Sequence, residues 1–539
     1  MPSYFILVPI LLPVIVGILL LIFPIEDAKK RNICIEIVVV LNTILVLWLL
    51  THRPTESFYM FSLGARLPLT LNIDGLSMFF GGLVACLWPL ASLYAFEYMK
   101  HEERVNTFMA FYTITYGVTL GVAFAGNIIT MYLFYECLTM VTLPLVIHTM
   151  TREARKATRQ YLYYMIGGTA FAFIAIVFYS LFCNDIAFVL GGNLNLAAIS
   201  NHMDIALLVY VFGFFGFGVK AAIFPFHGWL PAASVAPTPV TALLHAVAVV
   251  KSGAFAIMRL TYYCFGTEAL HGTWAQVVVL IAALITITYG STLGVRETHF
   301  KRRLAYSTIS NLSYILLAVA TMSPLGLIAG LSHMAVHAIM KISAFFCAGA
   351  VMHQTEKNYI YELDGLGFEM PVTFMALFIS GLSLMGMPLF AGFVSKWNIV
   401  HALLEHESMI GYISVLVLLY SGLMTGIYML TIIVRAWFPH VGYHKDLVEE
   451  FRDPNWLMKG PLVIFSVLTV VIGFYAQPLL DFIQKIAQGI TFAIGIDTQV
   501  IDSNLQRVAG TVYKPIPKNG GIVKRVVETG EYAISTTVD

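Results

Sequence analysis

The chain is a succession of long apolar runs separated by short polar connections. A run of about 20 apolar residues is long enough for a helix that crosses a bilayer. By this criterion about fourteen spans are predicted, at residues 3–24, 32–50, 74–97, 106–125, 127–149, 160–183, 204–223, 240–262, 273–295, 303–322, 326–352, 371–400, 411–437 and 457–480. The pattern therefore predicts an all-α, polytopic membrane protein. Because the first run lacks a positively charged start and a small-residue cleavage site, we expect it to be a retained helix.

Composition supports a membrane protein and argues against a bound cofactor. Hydrophobic residues make up 59% of the 539 residues and charged residues only 11%, whereas soluble domains carry roughly 25% charged residues. A net charge of +1 gives no reason to expect a nucleic-acid partner. The six cysteines are not at metal-binding or redox spacings, and the chain has no nucleotide-binding motif. We therefore expect no cofactor and no metal in this chain, and a surface that is covered by lipid.

The connections between the runs fall into two classes that alternate along the chain. One class is basic and contains Lys29, Lys30 and Arg31; Lys100 and Arg104; Arg152, Arg155, Lys156 and Arg159; Arg296, Lys301, Arg302 and Arg303; and Lys445 and Arg452. The alternate connections lack lysine and arginine, apart from the longer 51–73 connection with Arg53 and Arg66. Basic connections are typically cytoplasmic. The chain is thus predicted to be multi-pass in the inner (plasma) membrane, with its N-terminus and its polar 481–539 tail outside.

Ionisable side chains within the apolar runs are the candidate functional groups, because a charge near the bilayer centre is costly and usually faces a site inside the bundle. Glu136 lies well inside the fifth run, where a purely structural acid is the alternative. Lys220 precedes Pro225, which cannot continue a regular helix, so we expect a broken helix there. Broken helices at this depth are typical of ion sites. The alternative is that Pro225 ends the helix and Lys220 reaches the headgroups.

Three further positions lie in other runs. Lys251 has no acidic residue in its own run, and His245, six residues earlier, lies off the Lys251 face and could be an ordinary hydrogen-bonded histidine. Lys396 follows a segment with Gly386, Pro388 and Gly392, which predicts a second broken helix. Two broken helices that each carry a lysine, one per half of the chain, indicate an internal repeat with ion sites near the midplane.

His333, His337 and Lys341 form the sharpest local pattern. Their spacing of four residues places all three on one stripe of a helix. Titratable groups stacked one turn apart can relay protons, through water where needed. Metal binding by the two histidines is the alternative, although no cysteine or carboxylate on this helix would complete a site. We thus predict a proton relay driven by a partner module, with the relay residues Glu136, Lys220, Lys251, Lys341 and Lys396 and the supporting residues His227, His245, His333 and His337.

Several stretches resemble one known family, the antiporter-like membrane subunits shared by respiratory complex I, Mrp-type cation/proton antiporters and energy-converting membrane-bound hydrogenases. The matching stretches are Leu133 to Pro144, Val219 to Pro231, Pro237 to His245, Lys301 to Ser310, His333 to Gly349, and Leu382 to Lys396. The block Pro-Phe-His-Gly-Trp-Leu-Pro at residues 225–231 is the most specific of them. Together the stretches span most of residues 70 to 440.

This resemblance implies a pair of inverted five-helix repeats, which sets the expected organisation. We expect helices 1–3 in residues 1–105, the first repeat (helices 4–8) in 106–262, the second repeat (helices 9–13) in 263–437, helix 14 in 438–480, and a polar tail in 481–539. The resemblance also implies a Glu136–Lys220 pair, a connecting Lys251, and a Lys396 that exchanges protons with the far side. Some family members carry glutamate at the Lys396 position. With lysine there and no long lateral helix, a central or D-type subunit is our first interpretation.

The implied function is proton translocation within a multisubunit complex, with homologous antiporter-like subunits among the partners. A sodium/proton antiporter subunit is the main alternative, although few buried carboxylates are visible to hold sodium. Further alternatives are a transporter of a small organic solute, an inert scaffold and a quinone-reducing subunit. The lack of a polar pocket disfavours the solute transporter, and the number of charges in the apolar runs disfavours the inert scaffold. The lack of cofactor ligands disfavours the quinone-reducing subunit.

Overall fold

The computed structural model describes residues 1–64, 67–405, 407–439, 451–493, 500–501 and 507–509. Its long helices are α1 Val8–Ile22, α2 Ala28–Thr51, α3 Gly75–Tyr98, α4 Val105–Ala123, α5 Ile128–Val146, α6 Arg152–Phe182, α7 Met203–Gly218, α8 Thr238–Phe265, α9 Trp274–Arg296, α10 Phe300–Val319, α11 Pro324–Thr355, α12 Pro371–Met385, α13 Ala391–Leu404, α14 Met409–Trp437, α15 Trp456–Phe474 and α16 Gln477–Ala493. Shorter helical turns cover Ser3–Leu7, Met99–His101, Leu196–Ile199, Ser200–His202, Trp229–Ala232, Ala233–Val235, Thr267–Leu270, Ile360–Glu362 and Leu366–Glu369.

Each of the fourteen predicted spans overlaps one of these helices. Eleven helical segments in the described ranges are long and apolar enough to cross a membrane. Three predicted spans do not meet this criterion of length and apolar character, and the reason can be identified for each. Helix α4 carries four threonines and two tyrosines, α10 has three basic residues directly after Phe300, and the 371–400 span is split into α12 and α13. The prediction of an all-α, multi-pass membrane protein is thereby confirmed.

A small β-hairpin was not predicted. Strand β1 (Phe58–Ser62) pairs antiparallel with β2 (Pro68–Leu71) inside the 51–73 connection. Alternating apolar and polar positions in such short strands give a weak signal beside runs of 20 apolar residues. A second short antiparallel pair joins Val500–Ile501 to Arg507–Ala509.

The helix ends meet in two sets of contacts at opposite ends of the bundle. At one end, which we call the hairpin face, Leu71 bridges Ala125, Asn127 bridges Ala187, and Gly191 N donates to Tyr262 O at 2.9 Å. At the other end, the basic face, Lys301 Nζ donates to Ala236 O at 2.9 Å and His299 bridges Tyr359. The predicted basic connections at 100–104 and 296–303 lie at this second face. Arg66 and Lys445 lie outside the described residues.

Two helices are interrupted, as the sequence predicts. Helix α7 ends at Gly218 and helical structure resumes only at Trp229. Helix α12 ends at Met385 and α13 begins at Ala391, and Gly386 adopts a left-handed conformation (φ 91°) between them. Helix α8 carries an unpredicted distortion: Leu243–Val247 and Arg259–Phe265 form π-helical turns. Such turns are rare in proteins as a whole, and those that occur are often found at functional sites.

The path of the chain fits the inverted arrangement. Helix α4 starts at the basic face after Arg104, whereas α9 starts at the hairpin face after the 266–273 connection. Because the segment from α4 to α8 crosses the bundle five times, an odd number, the next helix must start at the opposite end. The interrupted helix is the fourth crossing in both halves. The apolar windows of α8 and α11 are completely buried, whereas that of α1 is only 33% buried, so α8 and α11 form the centre of the bundle.

The C-terminal part departs in detail from the expected bounds. The last predicted span, 457–480, ends earlier, at Phe474, and a separate helix α16 follows from Gln477. Ile483 and Ile486 of α16 are buried, and Ile486 lies against Gly75 at the start of α3. Most of the predicted polar tail, at residues 494–499, 502–506 and 510–539, lies outside the described residues. The domain boundaries stay a prediction.

Candidate functional site

A lysine and a histidine from the two central helices meet in the middle of the bundle. Lys251 of α8 and His337 of α11 are both fully buried. The distance between Lys251 Nζ and His337 Nδ1 is 2.5 Å, which is a hydrogen-bond distance. Either of these two nitrogens can carry the proton. Gly253 lets the interrupted segment after α7 come close, since a Cβ at this position would lie 2.6 Å from Ala221 N. The histidine thus supplies the lysine with a polar partner that its own helix lacks.

His337 continues into a line of polar groups that crosses to the second interrupted helix. The rings of His337 and His333 lie one helical turn apart, with centroids 5.9 Å apart. His333 Nδ1 lies 2.9 Å from Ser395 Oγ of α13. The Ser395 hydroxyl is also 3.2 Å from the Gly392 carbonyl, so it can donate to that carbonyl and accept from His333. Ser395 directly precedes Lys396 in the chain.

Lys396 occupies the gap between α12 and α13. Its Nζ donates to the carbonyls of Leu384 at 2.6 Å and Met385 at 3.3 Å, which the interrupted helix leaves free of helical partners. The Tyr314 ring lies 5.0 Å from Nζ and 5.4 Å from the His333 ring. Gly386 makes room for this arrangement, because a Cβ there would come 3.1 Å from Lys396 Cδ. The backbone carbonyls at the second break therefore bind the ammonium group of Lys396.

Lys341 and His245 lie beside the main line. Lys341 Nζ donates to Ser307 Oγ at 2.8 Å and to Leu304 O at 3.2 Å, both on α10. The fully buried His245 packs its ring on Phe345, with centroids 4.7 Å apart. The His245 ring also lies within hydrogen-bonding reach of the Leu230 backbone, so the ordinary hydrogen-bonded core histidine that the sequence left open stays an alternative.

The first interrupted helix places Lys220 against Tyr135. Lys220 is 1% exposed, so it does not reach the headgroups. Its Nζ donates to the Tyr135 carbonyl and lies over the Tyr135 ring. The adjacent Glu136 is only partly buried, and its Oε1 accepts a hydrogen bond from Thr169 at 2.8 Å. Within the described residues the Glu136 and Lys220 side chains are not within ion-pair distance, but they are close enough to interact electrostatically. The Glu136–Lys220 pair that the resemblance implies stays a prediction.

His227 also lies apart from this line, and its ring contacts in the described residues are to aromatic side chains. Its ring contacts Tyr289 of α9, with centroids 4.7 Å apart, and Phe224, at 5.7 Å. The side chain is only partly buried. It lies in the break after α7, but on the side of α9 and away from Lys251.

Sequence reasoning missed a second buried charge in α8. Arg259 is 1% exposed and forms an ion pair with Asp74, which caps the start of α3. Its Nη2 atom also donates to Ser77 Oγ at 2.9 Å. Arg259 lies within the predicted 240–262 span, so the criterion that found Lys251 would also have found it. Its partner Asp74 stands at the edge of a span and gives no such signal.

The polar groups of the site are lysine and histidine nitrogens, hydroxyls, backbone carbonyls and the Glu136 carboxylate. In the part of the chain that the structure describes, no three His, Cys, Asp or Glu side chains converge as they would around a metal ion. The arrangement suits the passage of protons between neighbouring nitrogens and oxygens, and all of the predicted relay residues except Lys251 lie in the stretches with family resemblance.

A family model described as "NADH:quinone oxidoreductase/Mrp antiporter, TM" matches residues 125–424. The chain belongs to this family of antiporter-like membrane subunits. A second model, "NADH-Ubiquinone oxidoreductase (complex I), chain 5 N-terminus", matches residues 60–109. The resemblance inferred from the motifs is thereby confirmed, and the chain is an antiporter-like, multi-pass membrane protein.

Individual relatives come from both branches of the family. A probable K(+)/H(+) antiporter protein of Rhizobium meliloti (strain 1021) is 31% identical over 417 residues, which cover 76% of this chain and 40% of the relative. NADH-quinone oxidoreductase subunit N of Desulforudis audaxviator (strain MP104C) is 30% identical over 432 residues, covering 76% of this chain and 83% of the relative. The chain thus spans less than half the length of the antiporter protein. The central or D-type assignment stays a prediction.

The fold also occurs in a solved complex. A chain in the structure of the Mrp complex from Dietzia sp. DQ12-45-1b superposes with a TM-score of 0.77 and 21% sequence identity, covering 89% of this chain and 52% of that chain. The likeness supports the fold of the antiporter-like family members.

Proposed function

We propose that this chain translocates protons across the membrane through a line of polar groups that runs from the partly buried Glu136 to Lys396. The observation that carries the proposal is the contact between Lys251 and His337, because it joins the helix next to the first break to the helix next to the second. A lysine and an imidazole within hydrogen-bond distance can share one proton, and neither has a competing ion pair within the described residues.

The first half of the route has Lys220 as its central group. A lysine in a low-dielectric interior loses its proton readily, whereas a nearby carboxylate favours the protonated form. Glu136 is one residue away from the carbonyl that holds Lys220. A small movement of α5 or of the break after α7 would therefore decide whether Lys220 keeps its proton or passes it towards Lys251.

The second half leads from His337 through His333 to Lys396. His337 Nε2 and His333 Nε2 are buried and make no hydrogen bond to a described residue. Buried polar nitrogens of this kind are normally satisfied by water, so we expect water to complete the transfer between the two rings. Lys341, held by Ser307, would supply a second proton-binding group beside the line.

Proton transport against a gradient needs a source of energy, and partner subunits are the proposed source. We propose that the chain is one component of a multisubunit membrane complex, of the Mrp or complex I type, and that conformational coupling from a partner module drives the relay. In this arrangement the basic face is cytoplasmic and the N-terminus lies outside, in the plasma membrane.

Cation exchange is the second candidate, favoured by the name of the K(+)/H(+) antiporter relative. Alkali cations prefer oxygen ligands, whereas the described line from Lys251 to Lys396 is dominated by nitrogen donors, which favours protons. Under this alternative Glu136 and Thr169 would be the first oxygen ligands to test.

The test is reconstitution of the full chain with its complex in vesicles, with a pH-sensitive dye as readout. Lys220→Ala and Glu136→Gln should remove formation of the pH gradient while assembly stays intact. Lys459→Ala and Glu268→Gln change the same residue types outside the relay and should keep it. Wild-type rates in both relay variants would refute the proposal, and a strict requirement for sodium or potassium would favour cation exchange.

A further inference from the structure

A pocket of about 620 Å³ lies at the basic face, away from the relay. It is formed by the first turns of α2, the end of α3 and the starts of α4 and α15. The relay residues do not line it. Its polar lining lies at the end nearest the basic face, and apolar side chains line the rest.

Arg31 is the distinctive group of this pocket. It lines the pocket and is 7% exposed. Its Nε atom is 3.4 Å from Asn32 Oδ1, and the guanidinium forms no ion pair with any residue that the structure describes. Leaving a largely buried arginine without a counter-charge is costly, and an anion beside Arg31 would offset that cost. Its planar, five-donor group is suited to a phosphate.

The neighbouring charges leave room for that anion. Lys29 also lines the pocket and has no ion-pair partner among the described residues, whereas Lys100 is paired with Glu97 at 2.7 Å. Glu36 is the one carboxylate that lines the pocket. It lies five residues, or about 7 Å, further along α2 than Arg31, and it accepts a hydrogen bond from Ser92 at 2.5 Å. The anion is therefore expected at the level of Arg31.

The rest of the pocket is apolar and opens sideways towards the bilayer. Leu93 and Phe96 form its inner wall. Ile33 and Leu457 stand at its rim and are 51% and 40% exposed. A free phosphate would make no favourable contact with these apolar side chains, whereas an acyl chain would pack along them.

We propose that this pocket binds one phospholipid with a negatively charged headgroup. The phosphate binds Arg31 and Lys29, and an acyl chain runs past Ile33 and Leu457. Basic pockets between membrane helices at the cytoplasmic side are suited to anionic headgroups. The bound lipid would tie α2 to α3 and α15, and so fix the N-terminal helices to the bundle.

The experiment measures phospholipid retained by the purified full-length chain after exchange into mixed phosphatidylglycerol and phosphatidylcholine micelles, by native mass spectrometry. The wild type should retain phosphatidylglycerol in preference to phosphatidylcholine. Arg31→Gln should lower that retention about fivefold or more, since each basic group contributes roughly 1 kcal/mol near an anionic headgroup. Lys30→Gln is the matched control, because Lys30 is the neighbouring exposed cation and does not line the pocket.

A second variant tests the apolar part of the pocket, and the thermal unfolding temperature of each variant shows whether the chain is still folded. Ile33→Trp fills the apolar rim without removing a charge and should also lower retention. Equal retention by wild type and Arg31→Gln would overturn the proposal, as would a wild type without preference for phosphatidylglycerol. Displacement of the lipid by millimolar inorganic phosphate would assign the site to free phosphate and overturn the lipid assignment.

Discussion

Lys251 and His337 lie 86 residues apart in the sequence, on different central helices, yet their side-chain nitrogens are 2.5 Å apart in the fully buried centre of the bundle. This contact connects the half of the protein that carries Glu136 and Lys220 to the half that carries Lys396. No other partner of Lys251 is seen among the described residues, so the histidine has no substitute within hydrogen-bond reach.

The first prediction concerns this pair. Lys251→Ala and His337→Ala should each slow proton translocation about a hundredfold, the scale expected for loss of a positioned proton-transfer group. The double variant should be no slower than either single variant, because the two residues act as one unit. Rates come from vesicle acidification per assembled complex. Effects that multiply in the double variant would show that the two groups work separately.

The second prediction concerns Ser395, which sequence reasoning did not single out. Removing its hydroxyl by Ser395→Ala takes away the hydrogen-bond partner of His333 Nδ1, a loss of about 1 kcal/mol, so translocation should slow about fivefold. Ser380→Ala is the control, because Ser380 is equally buried but its hydroxyl has no partner in the described part of the chain. An equal slowing in both variants would point to packing and not to orientation of His333.

The third prediction concerns the ion pair between Asp74 and Arg259. Asp74→Asn leaves the buried Arg259 without its counter-charge and should lower the free energy of unfolding by about 3 kcal/mol. Asp364→Asn removes a pair with Arg435 at 3.3 Å in which both side chains are about a quarter exposed, and should cost about 1 kcal/mol or less. Thermal unfolding in one detergent measures both. A smaller loss in Asp74→Asn than in Asp364→Asn would contradict the assigned importance of the pair.

The fourth prediction concerns pH and His299, in the connection between α9 and α10. Burial and the charges of Lys301 and Arg302 lower the pKa of His299 to about 4, from 6.5 in the unfolded chain. The unfolded chain therefore takes up the proton first as the pH falls. The stability contribution of the neutral ring is fully present above pH 6.5, declines between pH 6.5 and about 4, and then stays constant.

His299→Gln should accordingly flatten the dependence of the unfolding temperature on pH between about 4 and 6.5. His52→Gln serves as the control, because His52 is an exposed histidine at the hairpin end of α2. If the pH profile of His299→Gln matches that of the wild type, another group is responsible for acid sensitivity in this range.

The sequence predicted the membrane class, the fourteen spans and both helix breaks because each depends on local composition. A run of apolar residues sets the environment of its own helix. Pro225 and the Gly386–Pro388 segment interrupt the helix in which they lie. The π-helical turns of α8 escaped prediction, since they arise from packing of a fully buried helix. The β1–β2 hairpin escaped because its strands are too short to give a pattern.

The candidate site shows the same division at the level of single residues. Periodicity alone placed His333, His337 and Lys341 on one helix stripe, and the cost of charge in lipid marked Lys220, Lys251 and Lys396. Neither periodicity nor the cost of buried charge could predict that His337 faces Lys251 or that Ser395 faces His333. The position of His227 on the side of α9 was equally beyond these two rules. These relations join residues that are dozens of positions apart, and no local rule relates them.

By itself the sequence determined that this chain crosses a membrane many times, that it carries ionisable groups in its spans, and that it has the motifs of one antiporter-like family. Only the tertiary structure decided which of those groups touch. It paired Lys251 with His337, gave Lys220 the Tyr135 carbonyl as its hydrogen-bond partner, and matched Arg259 with Asp74. The physical reason is that burial can be read from the cost of removing a side chain from water, whereas a partner depends on how the helices pack.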